Sequence, residues 1–168
     1  MPGQVSEIAH HGRSGFMRRA FIILVLSIIL RTAANAYCEN AVEQLVHAQS
    51  FCMGCAVSTG RILSCDQPFI SVLRCKDAAV LLQSVYERGS LEAKMYALAG
   101  LREIDRPRFE AGSARITARG QSVVVTLTLG PPSVLRRNAR EVLKTIRAGN
   151  YRGYVRWIRT GTSPDDGL

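Results

Sequence analysis

The chain has 168 residues, the length of a single domain, with 47% hydrophobic and 21% charged residues. Its 22 lysines and arginines outweigh 13 acidic residues, which gives a formal net charge of +9. This balance favours anionic partners in general, such as lipid head groups, cell-wall polymers or nucleic acid, but by itself it identifies none of them.

A secretory signal occupies the first part of the sequence. Two arginines precede an apolar run at 21–30, and Ala34-Asn35-Ala36 forms an A-x-A cleavage site. A membrane-spanning helix needs about 20 apolar residues, roughly twice this run. We therefore expect cleavage near Ala36 and export of the remaining chain. The alternative is a membrane anchor formed by residues 20–30, and Met17 is an alternative start of translation.

All five cysteines lie after this signal. In an oxidising compartment cysteines pair by default, and an odd number leaves at least one thiol free or paired with another chain. Cys52 and Cys55 also form a C-x-x-C motif, which fits structural disulfides, a redox pair or part of a metal site. The spacing does not choose between these chemistries or between pairings. The candidate disulfide cysteines are Cys38, Cys52, Cys55, Cys65 and Cys75.

Apolar residues at helical spacing predict three helices in the first half of the exported chain. Residues 39–49 form a short amphipathic segment. A second helix covers 77–88, with Asp77 as its N-cap and Gly89 as the glycine that closes it. Ser90 then caps a third helix, so that the second and third form an αα-hairpin.

The second half of the chain changes its pattern. Residues 114–129 are rich in β-branched side chains and predict a strand or a strand pair. Residues 133–148 are typical of a helix, with Ser133 as its cap and an apolar stripe that begins at Leu135. The short apolar run at 67–75 is ambiguous in type.

Two resemblances follow from these residues. Residues 93–109 resemble the second helix of a HEAT repeat, in which alanines and leucines line the packing side and an Asp-Pro-like corner ends the helix. Residues 51–151 are similar to small exported bacterial proteins of unknown function, with a Y-x-L-x-G-L helix at 96–101 and a closing I-x-x-G-x-Y at 146–151. That group implies no activity. Its Gly-Cys pair is absent here, because 129–131 read Leu-Gly-Pro.

These elements predict a mainly α protein, a small helical domain with a HEAT-like αα-hairpin and one short β-prone segment. After the N-terminal extension and cleavable signal at 1–36, the helical domain covers 37–150. A basic and aromatic C-terminal segment with a disordered tail covers 151–168. One hairpin without an internal repeat argues against a solenoid, which needs about three repeats.

The sequence offers no clear catalytic residue or cofactor site. His47 is the only histidine after the signal, and a lone histidine on a helix is more often structural than catalytic. Cations concentrate near the last predicted helix, as expected of a surface that binds an anionic polymer or lipid, or simply of a solvated face. The candidate anion-binding residues are Arg136, Arg137, Arg140, Lys144, Arg147 and Trp157.

We therefore expect an exported, periplasmic or secreted, non-enzymatic domain that acts through contacts with a protein partner. One alternative is binding of an anionic polymer or lipid surface through the basic C-terminal helix. Another is a thiol-redox or metal-binding role for Cys52 and Cys55. No cofactor and no small-molecule substrate is predicted.

Overall fold

The computed structural model describes residues 35–52, 64–117, 122–127 and 133–161. The chain divides into two compact units, Met1–Tyr37 and Cys38–Leu168, and the fold described here is that of the second. Most of the predicted signal and the predicted disordered tail lie outside the described residues. Among the helices that are described, none is long and apolar enough to cross a membrane.

Helices dominate the described ranges, which contain seven α-helices and one two-stranded antiparallel sheet, so the predicted mainly α fold is confirmed. In chain order the elements are α1 (35–46), a 3-10 turn (Ser64–Asp66), α2 (Gln67–Arg74), α3 (Ala78–Arg88), α4 (Leu91–Ile104), α5 (Arg106–Thr117), β1 (Ser122–Leu127), β2 (Ser133–Asn138), α6 (Ala139–Ala148) and α7 (Arg152–Thr160).

Helix α1 is held against the domain by burial and by a covalent bond. It ends at residue 46, three residues before the predicted end at 49. A disulfide joins Cys38 in α1 to Cys75, which directly follows α2. The buried side chains of α1 are those that the apolar pattern predicts: Ala41, Val42, Leu45 and Val46.

Helix α4 lies at the centre of the core, where it packs against α3 and α5. Met95, Leu98 and Leu101 are completely buried, as their helical spacing predicts. Gly100 allows α3 to approach closely, because a Cβ atom at this position would lie 2.5 Å from Cδ1 of Leu82. The small residue is therefore required by packing rather than by backbone conformation.

The predicted αα-hairpin of α3 and α4 is confirmed, and Ser90 at its turn serves two helices. Its hydroxyl accepts a hydrogen bond from the backbone N–H of Ala93 at 3.1 Å and donates to the carbonyl of Ala48 at 2.7 Å. These two bonds satisfy the first turn of α4 and a carbonyl just beyond the end of α1.

Two details of the hairpin differ from the prediction. Asp77 precedes α3, but its carboxylate makes no capping hydrogen bond, and its backbone carbonyl accepts from Val80 instead. Gly89 has an extended backbone with φ −83°, so it is not a left-handed terminator. Glycine is needed at this position because there is no room for a side chain. A Cβ atom would lie 2.6 Å from Cβ of Ala93 and equally close to the carbonyl oxygen of Val85.

Two helices were not predicted. The ambiguous run at 67–75 forms α2, with Pro68 in its first turn, where a missing N–H costs nothing. Residues 106–117 form α5, although a strand or strand pair was predicted to begin at residue 114; the strand β1 begins only at Ser122. The sequence of α5 has little apolar periodicity, but Phe109 is fully buried. Packing of this side chain against the core therefore stabilises a helix that the local sequence pattern alone does not predict.

The largest correction concerns residues 133–138, which were predicted to begin the last helix but form β2 instead. This strand pairs antiparallel with β1, with Val125 opposite Leu135. Leu135 is consequently 42% exposed and does not belong to an apolar helix stripe. Helix α6 begins only after Asn138, not after Ser133, because the side chain of Asn138 accepts from the N–H of Arg140 at 2.9 Å.

Candidate functional site

A buried carboxylate, Asp66, lies at the start of α2 and is held by α4 and α7. Its side chain is inaccessible to solvent. The hydroxyl of Tyr96 donates to Oδ1 at 2.7 Å, and the hydroxyl of Tyr154 donates to Oδ2 at 3.1 Å. Burial raises the pKa of Asp66, and the two tyrosine hydrogen bonds partly oppose that shift. Two neutral donors thus satisfy both oxygens.

Tyr96 extends this network to two cysteines. Its hydroxyl oxygen accepts the backbone N–H of Cys52 at 3.0 Å and lies 3.5 Å from the carbonyl oxygen of Cys65. Burial, followed by the nearby charge of Asp66, raises the pKa of Tyr96, so the hydroxyl stays a neutral donor. Its ring packs edge-on against Phe51, with 4.9 Å between ring centroids.

Cys52 and Cys65 meet beside this network as thiols. The thiol of Cys65 is hydrogen-bonded to Cys52, and this bond, followed by burial, raises the pKa of the Cys65 thiol. Cys52 is only 1% exposed, and its sulfur lies 3.2 Å from the hydroxyl oxygen of Ser50. Cys65 is half-buried, so it is the more accessible sulfur of the pair.

The five candidate cysteines therefore fall into three groups. Cys38 and Cys75 form the disulfide, while Cys52 and Cys65 are adjacent thiols. Cys55, the second cysteine of the C-x-x-C motif, lies outside the described residues. The contact between Cys52 and Cys65 could not be found from sequence, because the two lie in no shared motif.

The other groups that the sequence singled out are candidate metal ligands and His47. The described side chains contain no group of three histidine, cysteine or acidic residues arranged to hold a metal. His47 lies on the surface just after α1, with its Nε2 3.6 Å from Glu43 and a side chain 74% exposed. His47 thus lies next to the carboxylate of Glu43.

The predicted cluster of cations is divided between two elements. Arg136 and Arg137 lie on β2 and not on the last helix, which corrects the prediction that all the cations share one helical face. Arg140 and Lys144 are exposed on α6, where they were expected. Because Arg136 and Arg137 follow the geometry of a strand, they are not in helical register with Arg140 and Lys144. The four residues therefore do not form one continuous basic stripe on a helix.

Arg147, the last cation of that set, is engaged within the fold. Its Nη2 lies 3.0 Å from the hydroxyl of Ser113 and 3.3 Å from the carboxylate of Glu110. Its guanidinium also lies 5.9 Å from the centre of the Phe109 ring. These contacts join α6 to α5, so the side chain has a structural role.

Helix α7 combines a buried face with a basic one. Tyr154, Val155 and Ile158 are buried and complete the core next to α2 and α4. Trp157 is partly buried, and its ring lies 6.1 Å from that of Tyr154, so it packs on the core. The segment from 151 that was predicted to be basic and aromatic therefore also contributes to the core.

The opposite face of α7 lines an open groove of about 370 Å³. Its cations are Arg152, Arg156 and Arg159, with Glu103 of α4 on the other side. Nε of Arg152 lies 3.7 Å from the Glu103 carboxylate. No described acidic side chain lies within ion-pair distance of Arg156 or Arg159.

The described residues thus offer two candidate sites, namely the buried cluster of Asp66, Tyr96, Tyr154, Cys52 and Cys65, and the basic groove of α7. The first combines thiols with a buried carboxylate, whereas the second presents cations to solvent. Comparison with protein-family models, with curated proteins and with solved structures finds no match for this chain.

Proposed function

We propose that the protein is an exported, non-enzymatic binding domain that holds an anionic polymer or an anionic lipid surface in the groove of α7. The observation that carries this proposal is the row of Arg152, Arg156 and Arg159 along one side of the groove. Two of these three guanidinium groups have no acidic partner among the described side chains, so their charge is available to a ligand.

The spacing of the three arginines suits a repeating anion. Positions 152, 156 and 159 lie on one face of the helix and span about 10 Å along its axis, at about 1.5 Å per residue. A guanidinium binds phosphate or sulfate groups through two parallel hydrogen bonds. A row of this length therefore matches neighbouring charges on a polymer or on adjacent head groups.

Apolar contact with a protein partner has less support from the described surface. Large exposed hydrophobic residues in the second unit are Val80 on α3 and Leu135 on β2, which belong to different elements. Exposed apolar residues that occur singly are normal on soluble domains. The basic groove is the more specific feature, and it favours an anionic ligand.

The test is a titration of the exported chain with heparin at several salt concentrations. Binding should weaken steeply with salt, because each contact releases a counterion. The double variant Arg156→Ala/Arg159→Ala should weaken binding at low salt and flatten the log–log dependence by about two units, one for each lost cation.

The matched control removes the same charge elsewhere. Arg88 on α3 pairs with Glu43, and Arg106 on α5 pairs with Glu110, so both are exposed but occupied. Arg88→Ala/Arg106→Ala should leave the salt dependence nearly unchanged. Equal effects of the two double variants, or no heparin binding at low salt, would refute binding in the groove.

A further inference from the structure

We propose that Cys52 and Cys65 form a second, reversible disulfide that opens and closes by exchange with an external disulfide or thiol. The proposal is independent of the anion-binding groove. It begins from the convergence of both residues on one atom, the hydroxyl oxygen of Tyr96, which lies 3.0 Å from the backbone nitrogen of Cys52 and 3.5 Å from the carbonyl oxygen of Cys65.

This convergence brings the backbones of the two cysteines near each other around the Tyr96 hydroxyl. The nitrogen of Cys52 and the carbonyl oxygen of Cys65 are separated by at most the sum of those two distances. Disulfide-linked residues usually have Cα atoms about 4.4–6.8 Å apart. The side chain of Cys52 also interacts directly with the Cys65 thiol, so the two side chains meet on the same side of Tyr96.

The open form is also accommodated, which is why we infer a reversible bond. The sulfur of Cys52 lies 3.2 Å from the hydroxyl of Ser50, and the Cys65 thiol bonds to Cys52. The same structure contains Cys38 and Cys75 already joined. One pair is thus closed while the other has hydrogen-bonding partners for its reduced form.

Burial determines which sulfur meets the external reagent. Cys52 is 1% exposed, whereas Cys65 is half-buried. The thiolate of Cys65 therefore attacks the external disulfide, which forms a mixed disulfide and releases one thiol. The sulfur of Cys52 then attacks the sulfur of Cys65, which forms the internal bond and releases the second thiol.

The exchange balances in atoms and electrons. Two protein thiols become one disulfide, and the external disulfide becomes two thiols by accepting two electrons and the two thiol protons. Because the thiolate is the reacting form and the pKa of Cys65 is raised, exchange should be slow near neutral pH. The rate should rise about tenfold for each pH unit, in proportion to the thiolate fraction.

The closed bond would join two parts of the fold. On one side, Phe51 next to Cys52 donates its backbone N–H to the carbonyl of Val124 in β1 at 2.9 Å. On the other side, Cys65 lies in the turn that leads into α2. The disulfide would therefore tie the sheet edge to α2.

The experiment equilibrates the exported chain in glutathione buffers of increasing oxidised fraction. Samples are quenched with acid, alkylated, weighed intact and mapped by peptide mass. We expect two thiols to disappear together, a cross-link between Cys52 and Cys65, and full recovery of both thiols on return to reduced glutathione. The rate of closure, measured at pH 7 and pH 8, should differ about tenfold.

Three variants make the result decisive. Cys55→Ser should retain the cross-link, whereas Cys52→Ser and Cys65→Ser should each abolish it. If Cys52 and Cys65 both remain alkylatable at the most oxidising ratio, the proposal fails. It also fails if the bond that forms contains Cys55 and is lost in Cys55→Ser.

Discussion

The hydroxyl of Tyr96 lies 2.7 Å from Oδ1 of Asp66, and the same oxygen accepts the backbone N–H of Cys52 at 3.0 Å. One buried atom therefore satisfies two polar groups from segments that are distant in sequence. The second carboxylate oxygen depends on Tyr154 in the same way. A buried polar group that loses its partner costs about 1–3 kcal/mol, so this network sets much of the local stability.

The two tyrosines should differ in importance. Tyr96→Phe leaves both the Asp66 oxygen and the Cys52 N–H without their partner, so we expect a loss of about 3 kcal/mol in the free energy of unfolding. Tyr154→Phe removes one hydrogen bond, for which we expect about 1–2 kcal/mol. Urea unfolding of both variants measures the difference. A smaller loss for Tyr96→Phe than for Tyr154→Phe would contradict this account of the network.

The buried carboxylate should make stability depend on pH in an unusual direction. The pKa of Asp66 is raised above its ordinary value of 3.8, so between the two values the folded chain binds more protons than the unfolded chain. Stability from this group is present at low pH and is lost as pH rises through the raised pKa. The stability difference between the parent and Asp66→Asn, followed by urea unfolding from pH 3.5 upward, should therefore fall with pH.

Glu43 provides the control for that measurement, because its shift has the opposite sign. The side chain of Arg88 lowers the pKa of Glu43 below its ordinary value of 4.5. Its contribution is present above that value and is lost as pH falls. The difference between the parent and Glu43→Gln should thus rise or stay level with pH. The same slope for both variants would mean that the Asp66 effect is not a property of its site.

The close approach of α3 to α4 gives a prediction about packing. Gly100→Ala places a Cβ atom 2.5 Å from Cδ1 of Leu82 and 3.3 Å from Cε2 of Phe69. Overpacking of this kind costs about 1–3 kcal/mol, although alanine is the better helix former by about 1 kcal/mol. We expect a lower thermal midpoint. Combining it with Leu82→Ala should cost less than the sum of the single variants, because the clashing atom is gone.

The predicted signal leads to a direct test of export. Protein recovered from the cell envelope or the medium should have an intact mass that corresponds to a first residue at Tyr37. The physical reason is that the apolar run at 21–30 is too short to span a membrane and is followed by small residues that suit the signal peptidase. Recovery of a chain that retains residues 17–36 would favour the anchored form.

Local signals predicted the αα-hairpin and some of its details. The buried face of α4 follows from helical spacing, and Ser90 caps α4 because its hydroxyl accepts the N–H of Ala93. Both depend on residues within a few positions of each other, and such interactions are visible in a sequence.

Non-local interactions explain most of what the sequence did not reveal. The segment that begins at Ser133 alternates too little to predict a strand, and it is β2 because β1 supplies a partner for its backbone groups. The meeting of Cys52 with Cys65, and of Asp66 with Tyr154, depends on how whole helices pack. No spacing rule connects residues that are brought together only in the finished fold.

The hydrogen bond between Tyr154 and Asp66 spans 88 positions along the chain. During synthesis, which proceeds from the N-terminus, Asp66 emerges long before the helix that carries its second donor. Until then one carboxylate oxygen of Asp66 lacks its protein donor. The first half of the chain should therefore be an unfinished intermediate, and final folding should wait for α7.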